Sequence, residues 1–136
     1  MELSEARILI TGGGRGIGNF LAMNLLKKAN KVFIIDKNKN LVDTLPDDER
    51  LEKYVADVTD FNSVFSIVEN IFAEKGGANV IINNAGIIHS EPLINILSKS
   101  DRKHNVENWN RVINVSLNSV FYVTSAVVDH MVRKKK

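Results

Sequence analysis

Four short groups of residues in this sequence have types and spacings suited to chemistry. The first is Thr11-Gly12-Gly13-Gly14-Arg15-Gly16-Ile17-Gly18, which follows the apolar run Ile8-Leu9-Ile10 and opens into Phe20-Leu21-Ala22-Met23-Asn24-Leu25-Leu26. That is the order of a strand, a tight turn and a helix. Glycines at such a junction permit the turn, let backbone approach a pyrophosphate, and let the helix lie close against the strand. The helix N-terminus then offers N–H groups and a partial positive charge to phosphates. The spacing Gly12-x3-Gly16-x-Gly18 is not G-x-G-x-x-G, and without a following Gly-Lys-Ser/Thr it is not a Walker loop.

The second group is Asp36, which ends the apolar run Lys31-Val32-Phe33-Ile34-Ile35 and lies 18 residues beyond Gly18. A dinucleotide fold places an acid near that position, against the adenosine ribose. A carboxylate there accepts hydrogen bonds from both ribose hydroxyls and repels a 2′-phosphate, which favours NAD and makes NADP the lesser candidate. Arg15 is suited to a 2′-phosphate and pulls the other way. The third group, Asp57-Val58, closes a further strand and suits the adenine edge. The fourth, Asn83-Asn84-Ala85-Gly86, follows the apolar run Val80-Ile81-Ile82.

The elements that must position these groups follow from periodicity and punctuation. Strands are predicted at Arg7–Thr11, Lys31–Asp36, about Lys53–Val58 and Asn79–Asn83, with near-continuous apolar runs that suit parallel strands buried on both faces. Helices are predicted over about Gly16–Ala29, with Ile17, Phe20, Leu21 and Leu25 on one face, and over Lys39–Leu45, stopping before Pro46. A third helix begins at an Asp60 N-cap, carries Phe61, Val64, Phe65, Val68, Ile71 and Phe72 as one core stripe, and ends at Gly76-Gly77. Ile87–His104 reads as a long connection with a short helical segment around Leu93–Ser98. A last helix starts at an Asn105 N-cap and runs from about Glu107 to Arg133. Its predicted inner side holds Trp109, Val112, Ile113, Ser116, Leu117, Val120, Phe121, Thr124, Val127, Val128 and Met131, and its basic end, Arg133–Lys136, complements the helix dipole. Alternating strands and helices imply an α/β, Rossmann-like doubly wound parallel sheet with right-handed crossovers. In the order 3-2-1-4 the topology reverses between strands one and four, and ligands bind at that switch point.

The whole set, Thr11-Gly12-x3-Gly16-x-Gly18, Asp36, Asp57-Val58 and Asn83-Asn84-Ala85-Gly86 in this order, resembles the N-terminal, NAD-binding half of the short-chain dehydrogenase/reductase family. The resemblance implies that Gly12, Gly16, Ile17 and Gly18 surround the pyrophosphate, with Thr11, Gly14 and Arg15 also among the cofactor-binding residues. It implies that Asp36, Asp57 and Val58 hold the adenosine, and that Asn84, Ala85 and Gly86 border the nicotinamide ribose. It implies alcohol/carbonyl hydride transfer by the complete protein, with a small-molecule substrate.

Two departures qualify it. In register, Ser116 occupies the family's helix asparagine position, where a serine can bond a water with shorter reach; Asn114 and Asn118 lie about 200° around the helix. The sequence also stops at Lys136, where the family's fifth strand would begin, so the later strands and helices, the catalytic serine and the Tyr-x-x-x-Lys pair are not among these residues. Tyr122 has Ala126 where a lysine is needed, and Tyr54 belongs to the third strand. The expectation is a truncated domain over 1–136 that alone binds NAD weakly and turns nothing over. The alternatives are a non-catalytic nucleotide-binding or interaction module, and half of an enzyme completed by another chain. Copies could pair through the last helix or the exposed fourth-strand edge.

Composition narrows the class. At 136 residues, 44% apolar and 25% charged, the chain is long enough for one core and is not of disordered type. Arg133–Lys136 supply four of the 18 basic residues, leaving the rest slightly acidic, so no nucleic-acid face is expected. The absence of cysteine excludes disulfides and thiolate metal sites and fits a cytoplasmic location, and the three histidines lack metal-ligand spacing. No run of apolar residues approaches a membrane span, and the N-terminus lacks a signal-peptide pattern.

Overall fold

The computed structural model describes residues 2–100 and 102–133. Four strands, β1 (Arg7–Thr11), β2 (Lys31–Asp36), β3 (Leu51–Val55) and β4 (Val80–Ile82), form one parallel sheet in the order β3-β2-β1-β4. Helices α1 (Gly16–Leu26), α2 (Lys39–Asp43) and α3 (Phe61–Glu74) connect them. After β4 come α4 (Val106–Ile113), a π-helical segment (Asn114–Asn118) and α5 (Ser119–Arg133), which run on as one rod. Strand alternation divides the core in two. Ile8, Ile10, Val32 and Ile34 face α1 with Ala22 and Leu26, whereas Leu9, Phe33 and Ile35 face α3 and α5 with Val64, Val68, Ile71, Val123 and Val127.

Several boundaries differ from those predicted. β3 is displaced to Leu51–Val55 because its register is fixed by β2, whose last residue Asp36 pairs with Val55; the chain then turns, and Thr59 donates its N–H to the Asp57 carboxylate at 2.9 Å. Asp57 therefore lies past the strand end. α1 stops at Leu26 and buries Gly18, Ala22 and Leu26 one turn apart, leaving Ile17 and Phe20 exposed. Small residues win that face because they let the helix sit close to the sheet. In α3, Val64, Val68 and Ile71 are buried, but Phe61 and Phe65 lie at the surface, where Phe61 packs edge-on against Tyr122 at 5.5 Å.

The connection after β4 holds no helix at 93–98; Ile94 and Lys103 form an antiparallel bridge instead. The last helix begins one residue early, and its buried side is Ser119, Val123, Ala126 and Val127. Ser116, Leu117, Phe121 and Val128 are exposed, because the π-helical segment shifts the phase that an unbroken helix would have, and Trp109 is exposed on α4, which buries no residue. Lys134–Lys136, the end of the predicted basic cap, lie outside the described residues. One expectation on length is also corrected: Val106–Arg133 is a 28-residue helical run long and apolar enough, by length and composition, to cross a membrane. Its Asn, Ser and Thr residues hide this in a count of uninterrupted apolar residues. In this fold its Val123, Ala126 and Val127 pack into the sheet's core.

At the opposite end of the sheet from the glycine turn, Glu52 pairs with Lys31 at 3.0 Å and Lys75 at 3.3 Å. Burial pushes the Glu52 carboxyl up, but the two lysine hydrogen bonds and charges outweigh it and hold the group below the usual glutamate value of 4.5. A depressed folded-state value means that this clasp stabilises the fold above the ordinary glutamate range and is lost as pH falls through the folded-state value. Thermal melts from pH 7 to pH 3 should therefore show a steeper acid loss for wild type than for Glu52→Gln. Parallel melting curves for the two proteins would contradict the role given to the clasp.

Candidate functional site: a cleft at the switch point

The carboxyl ends of β1 and β4 part company where the topology reverses, and a cleft of about 300 Å³ opens between them. Its walls come from the glycine turn, the end of β2, the turn after β3 and the segment after β4.

The glycine turn is shaped by contacts that only glycine permits. Gly12 has φ of 67° and Gly16 of 57°, both in the left-handed region. A Cβ on Gly18 would collide with the Gly12 carbonyl and the Asn84 amide, so this glycine sets the distance between helix and turn. A Cβ on Gly14 would press on the Asp36 carboxylate at 2.9 Å. By contrast, nothing lies within 4 Å of a Cβ on Gly16, which faces the open cleft.

Two further features prepare this corner for an anion and a diol. The helices α2, α3 and α4 are capped by side chains, Asn38, Asp60 and Asn105, whereas Arg15 at the start of α1 makes no capping hydrogen bond. The first N–H groups of α1 are thus left to the cleft. The Asp36 carboxylate is oriented by two backbone donors, Gly14 N–H to Oδ2 and Asn38 N–H to Oδ1, each at 2.9 Å.

Asp57 lies across from Asp36 and lines the same cleft. Burial raises its carboxyl, but the Thr59 N–H and hydroxyl at 2.9 and 2.8 Å, with Lys37 at 3.9 Å, draw it below the usual aspartate value of 3.8. It is an acceptor at neutral pH. Asn84 ties the far wall to the glycine turn. Its side-chain amide donates to the carbonyls of Thr11 at 3.0 Å and Gly12 at 3.1 Å, and the Thr11 hydroxyl accepts from the N–H groups of Asn84 and Ala85, both at 3.1 Å.

Of the residues singled out from sequence, Gly12, Arg15, Gly16, Ile17, Asp36, Asp57, Val58, Asn84, Ala85 and Gly86 line the cleft. Thr11, Gly14 and Gly18 stand behind it and shape it. Ser116 reaches it indirectly, through a hydrogen-bond pair with the Ile87 backbone. Sequence reasoning missed Ile35, Lys37, Ala56, Ile87 and Val115 as lining residues. Each adjoins a residue that was singled out, Asp36, Asp57, Gly86 or Ser116, so adjacency was the available signal. His89 and His104 gather around Glu91 in the long connection, and among the described residues no group of three or more His, Cys, Asp or Glu is arranged to hold a metal.

Comparison with known proteins follows the same lines. A family model described as short chain dehydrogenase matches residues 6–136. The chain is 31% identical over 140 residues to 3-oxoacyl-(acyl-carrier-protein) reductase FabG of Thermotoga maritima, covering 99% of this chain and 54% of that protein. Among solved structures it is similar to a gluconate 5-dehydrogenase from Burkholderia cenocepacia in complex with NADP and tartrate, with TM-score 0.79, 29% identity, and coverage of 97% of this chain and 52% of that one. It is also similar to a 3-ketoacyl-(acyl-carrier-protein) reductase from Brucella melitensis complexed with NADH, with TM-score 0.79, 27% identity, and coverage of 94% and 51%. The chain thus spans about half the length of the relatives it matches.

The glycine geometry yields a ranked expectation. Gly18→Ala forces backbone apart and should destabilise the chain by about 3 kcal/mol, whereas Gly16→Ala, strained in φ but unobstructed, should cost about 1 kcal/mol. Denaturant unfolding of both variants checks this, and equal losses would refute the close contact at Gly18.

Proposed function

This chain belongs to the short chain dehydrogenase family, and on that premise we propose that it is the dinucleotide-binding half of an NAD-dependent oxidoreductase that interconverts an alcohol and a carbonyl in the complete protein. The observation that carries this is the uncapped N-terminus of α1, set beside a carboxylate held by two backbone N–H groups in one cleft. The residues fit such a group: the open side of Gly16 leaves room for a pyrophosphate, the α1 N–H groups suit its charge, and Asp36 and Asp57 suit the adenosine. The Asn84-Ala85-Gly86 segment would border the nicotinamide end. When bound, the nicotinamide ring is what accepts or donates hydride; the residues of this chain bind and orient it.

Preference for NAD rests on Asp36. Its oxygens are already oriented, so they accept from ribose hydroxyls without reorganisation, and their charge opposes a 2′-phosphate. Arg15 and Lys37 line the same cleft and supply the case for NADP, the cofactor named for the gluconate 5-dehydrogenase relative. We favour Asp36 because it alone excludes one of the two.

The proton-transfer half of the chemistry has no candidate here. Burial pushes the Tyr54 hydroxyl up to about 12, and it donates to the Asn70 side chain at 3.2 Å, so it is neither acidic enough nor free. Tyr122 packs among Phe61 and Phe121, with no lysine four residues on. The 136 residues alone therefore bind NAD weakly and transfer no hydride. The exposed Phe121 of α5, beside Phe61 and Phe65 of α3, and the edge position of β4 support pairing of copies through the last helix or the fourth-strand edge.

Titration calorimetry of the 136-residue chain should show NAD binding in preference to NADP, and Asp36→Ala should narrow that preference by about tenfold, the size of one lost charge-assisted hydrogen bond. A ratio unmoved by Asp36→Ala would remove the basis for assigning NAD. Purified chain with NAD and simple secondary alcohols should give no NADH absorbance, and any turnover would refute the inactive reading.

A further inference from the structure

We propose that the hairpin after β4 is a membrane-docking loop, in which an apolar tip enters the surface of a bilayer while neighbouring cations bind anionic lipid headgroups. The hairpin contributes no residue to the cleft, so the proposal stands apart from the dinucleotide reading. Its arms, 93–98 and 102–104, are joined through the backbone. The Asn95 N–H donates to the Arg102 carbonyl at 2.7 Å, the His104 N–H donates to the Leu93 carbonyl at 3.0 Å, and Ile94 lies opposite Lys103. Toward the tip, the Asn95 side chain accepts from the Leu97 N–H at 3.1 Å and the Asn95 carbonyl accepts from the Ser98 N–H at 3.2 Å.

These bonds hold the backbone while the apolar side chains stay in solvent. Leu93, Ile96 and Leu97 are 78%, 74% and 89% exposed, and Ile94 is 54% exposed. None of the four belongs to either core cluster. Four large aliphatic side chains so close together in sequence mark a surface that an apolar partner covers. The backbone groups paired within the hairpin give up no hydrogen bond when water leaves, which is the condition for entering a bilayer.

Charge selects the occupant. From Pro92 to Lys103 the sequence carries Lys99, Arg102 and Lys103 against Asp101, and those three cations are exposed. Long basic side chains lie along apolar surface and put their charge at headgroup level, where each strengthens binding to an anionic bilayer by about fivefold. A second copy docked tip to tip would instead bring these like charges together. The base of the hairpin is fastened to the start of α4 by Glu91, whose carboxylate accepts from His89 Nε2 at 3.0 Å and from the Asn105 N–H at 3.3 Å. The His104 ring meets Trp109 edge-on at 6.3 Å, and Trp109 is itself exposed. Tryptophan is a residue that settles at the membrane interface.

The test uses vesicles of phosphatidylcholine alone or with about one-third phosphatidylserine. The 136-residue chain should float with the mixed vesicles and bind phosphatidylcholine alone at least about tenfold more weakly. Ile96→Ser combined with Leu97→Ser should weaken binding to the mixed vesicles at least about tenfold. Lys99→Gln, Arg102→Gln and Lys103→Gln together should abolish the preference for phosphatidylserine. The altered side chains are exposed, so both variants should melt within about 2 °C of wild type; if I96S/L97S melts lower, the charge variant decides by keeping or losing the preference. A wild-type chain that floats with neither vesicle overturns the proposal, as does binding that survives I96S/L97S with its fold intact or that ignores phosphatidylserine. Light scattering that finds a dimer in wild type and a monomer in I96S/L97S, without vesicle binding, also overturns it and gives the tip to a second copy.

Discussion

The grip of Asn84 on the carbonyls of Thr11 and Gly12 is the interaction on which the site depends. At the switch point β1 and β4 are neighbours whose onward chains diverge, so no ladder hydrogen bond continues past Ile10 and Ile82. Without a substitute, the turn after β1 and the segment after β4 would be independent loops. The Thr11 hydroxyl, buried to 2% exposure, accepts the N–H groups of Asn84 and Ala85, and the Asn84 amide returns two bonds to the turn. Four side-chain bonds replace the ladder where backbone pairing ends. Each buried donor or acceptor left unmatched there would cost about 1–3 kcal/mol, which is large against the marginal stability of a domain this size.

From that knot the rest of the cleft follows in sequence. Fixing the Gly12 carbonyl fixes how close Gly18 must come, and only a residue without a Cβ can come that close. The start of α1 is then aimed at the cleft with its N–H groups uncapped. Gly14, held on the other side of the turn, meets the Asp36 carboxylate and orients it. The uncapped helix start and the oriented carboxylate are therefore consequences of one constrained turn, not separate inventions.

The sequence made legible what local chemistry dictates. The strand order, the β1 and β2 boundaries, the Asp60 and Asn105 caps and most of the cleft lining follow from glycine spacing, apolar runs and capping residues, which act over a few residues. What was illegible depends on partners distant in sequence. The β3 boundary is set by register with β2, so Asp57 could be named but not placed. The exposure of Ile17 and Phe20 reflects the competition won by Gly18 and Ala22 for the sheet, and large apolar side chains at helical spacing suggest the opposite. The last helix misled most, because an unbroken 3.6-residue period cannot anticipate a widened turn: Val127 is buried and Met131 packs on the core as predicted, but Phe121 and Val128 face outward while Ser119, Val123 and Ala126 take the inner side.

That widened turn also explains why the two ends of the cleft differ in kind. The Asp36 side of the cleft is made by backbone groups within the sheet's own connections: Gly14, Asn38 and the start of α1 all belong to the β1-α1-β2 unit and its immediate continuation. Such groups are in place once the sheet forms. The opposite wall is made by a segment that leaves β4 for a long exposed connection; Asn84 ties its start to the glycine turn, Asn83 donates to the Thr124 hydroxyl at 3.0 Å, and Ile87 bonds Ser116 on a helix that begins some twenty residues later. The Asp36 side of the cleft is therefore built within a local unit, whereas the β4 side relies on long-range contacts. The short chain dehydrogenase relatives, about twice as long, have further chain with which to supply such packing. In the sheet β1 and β2 lie inside with neighbours on both sides, while β3 and β4, which lead to Asp57 and to Asn84, are the two edges.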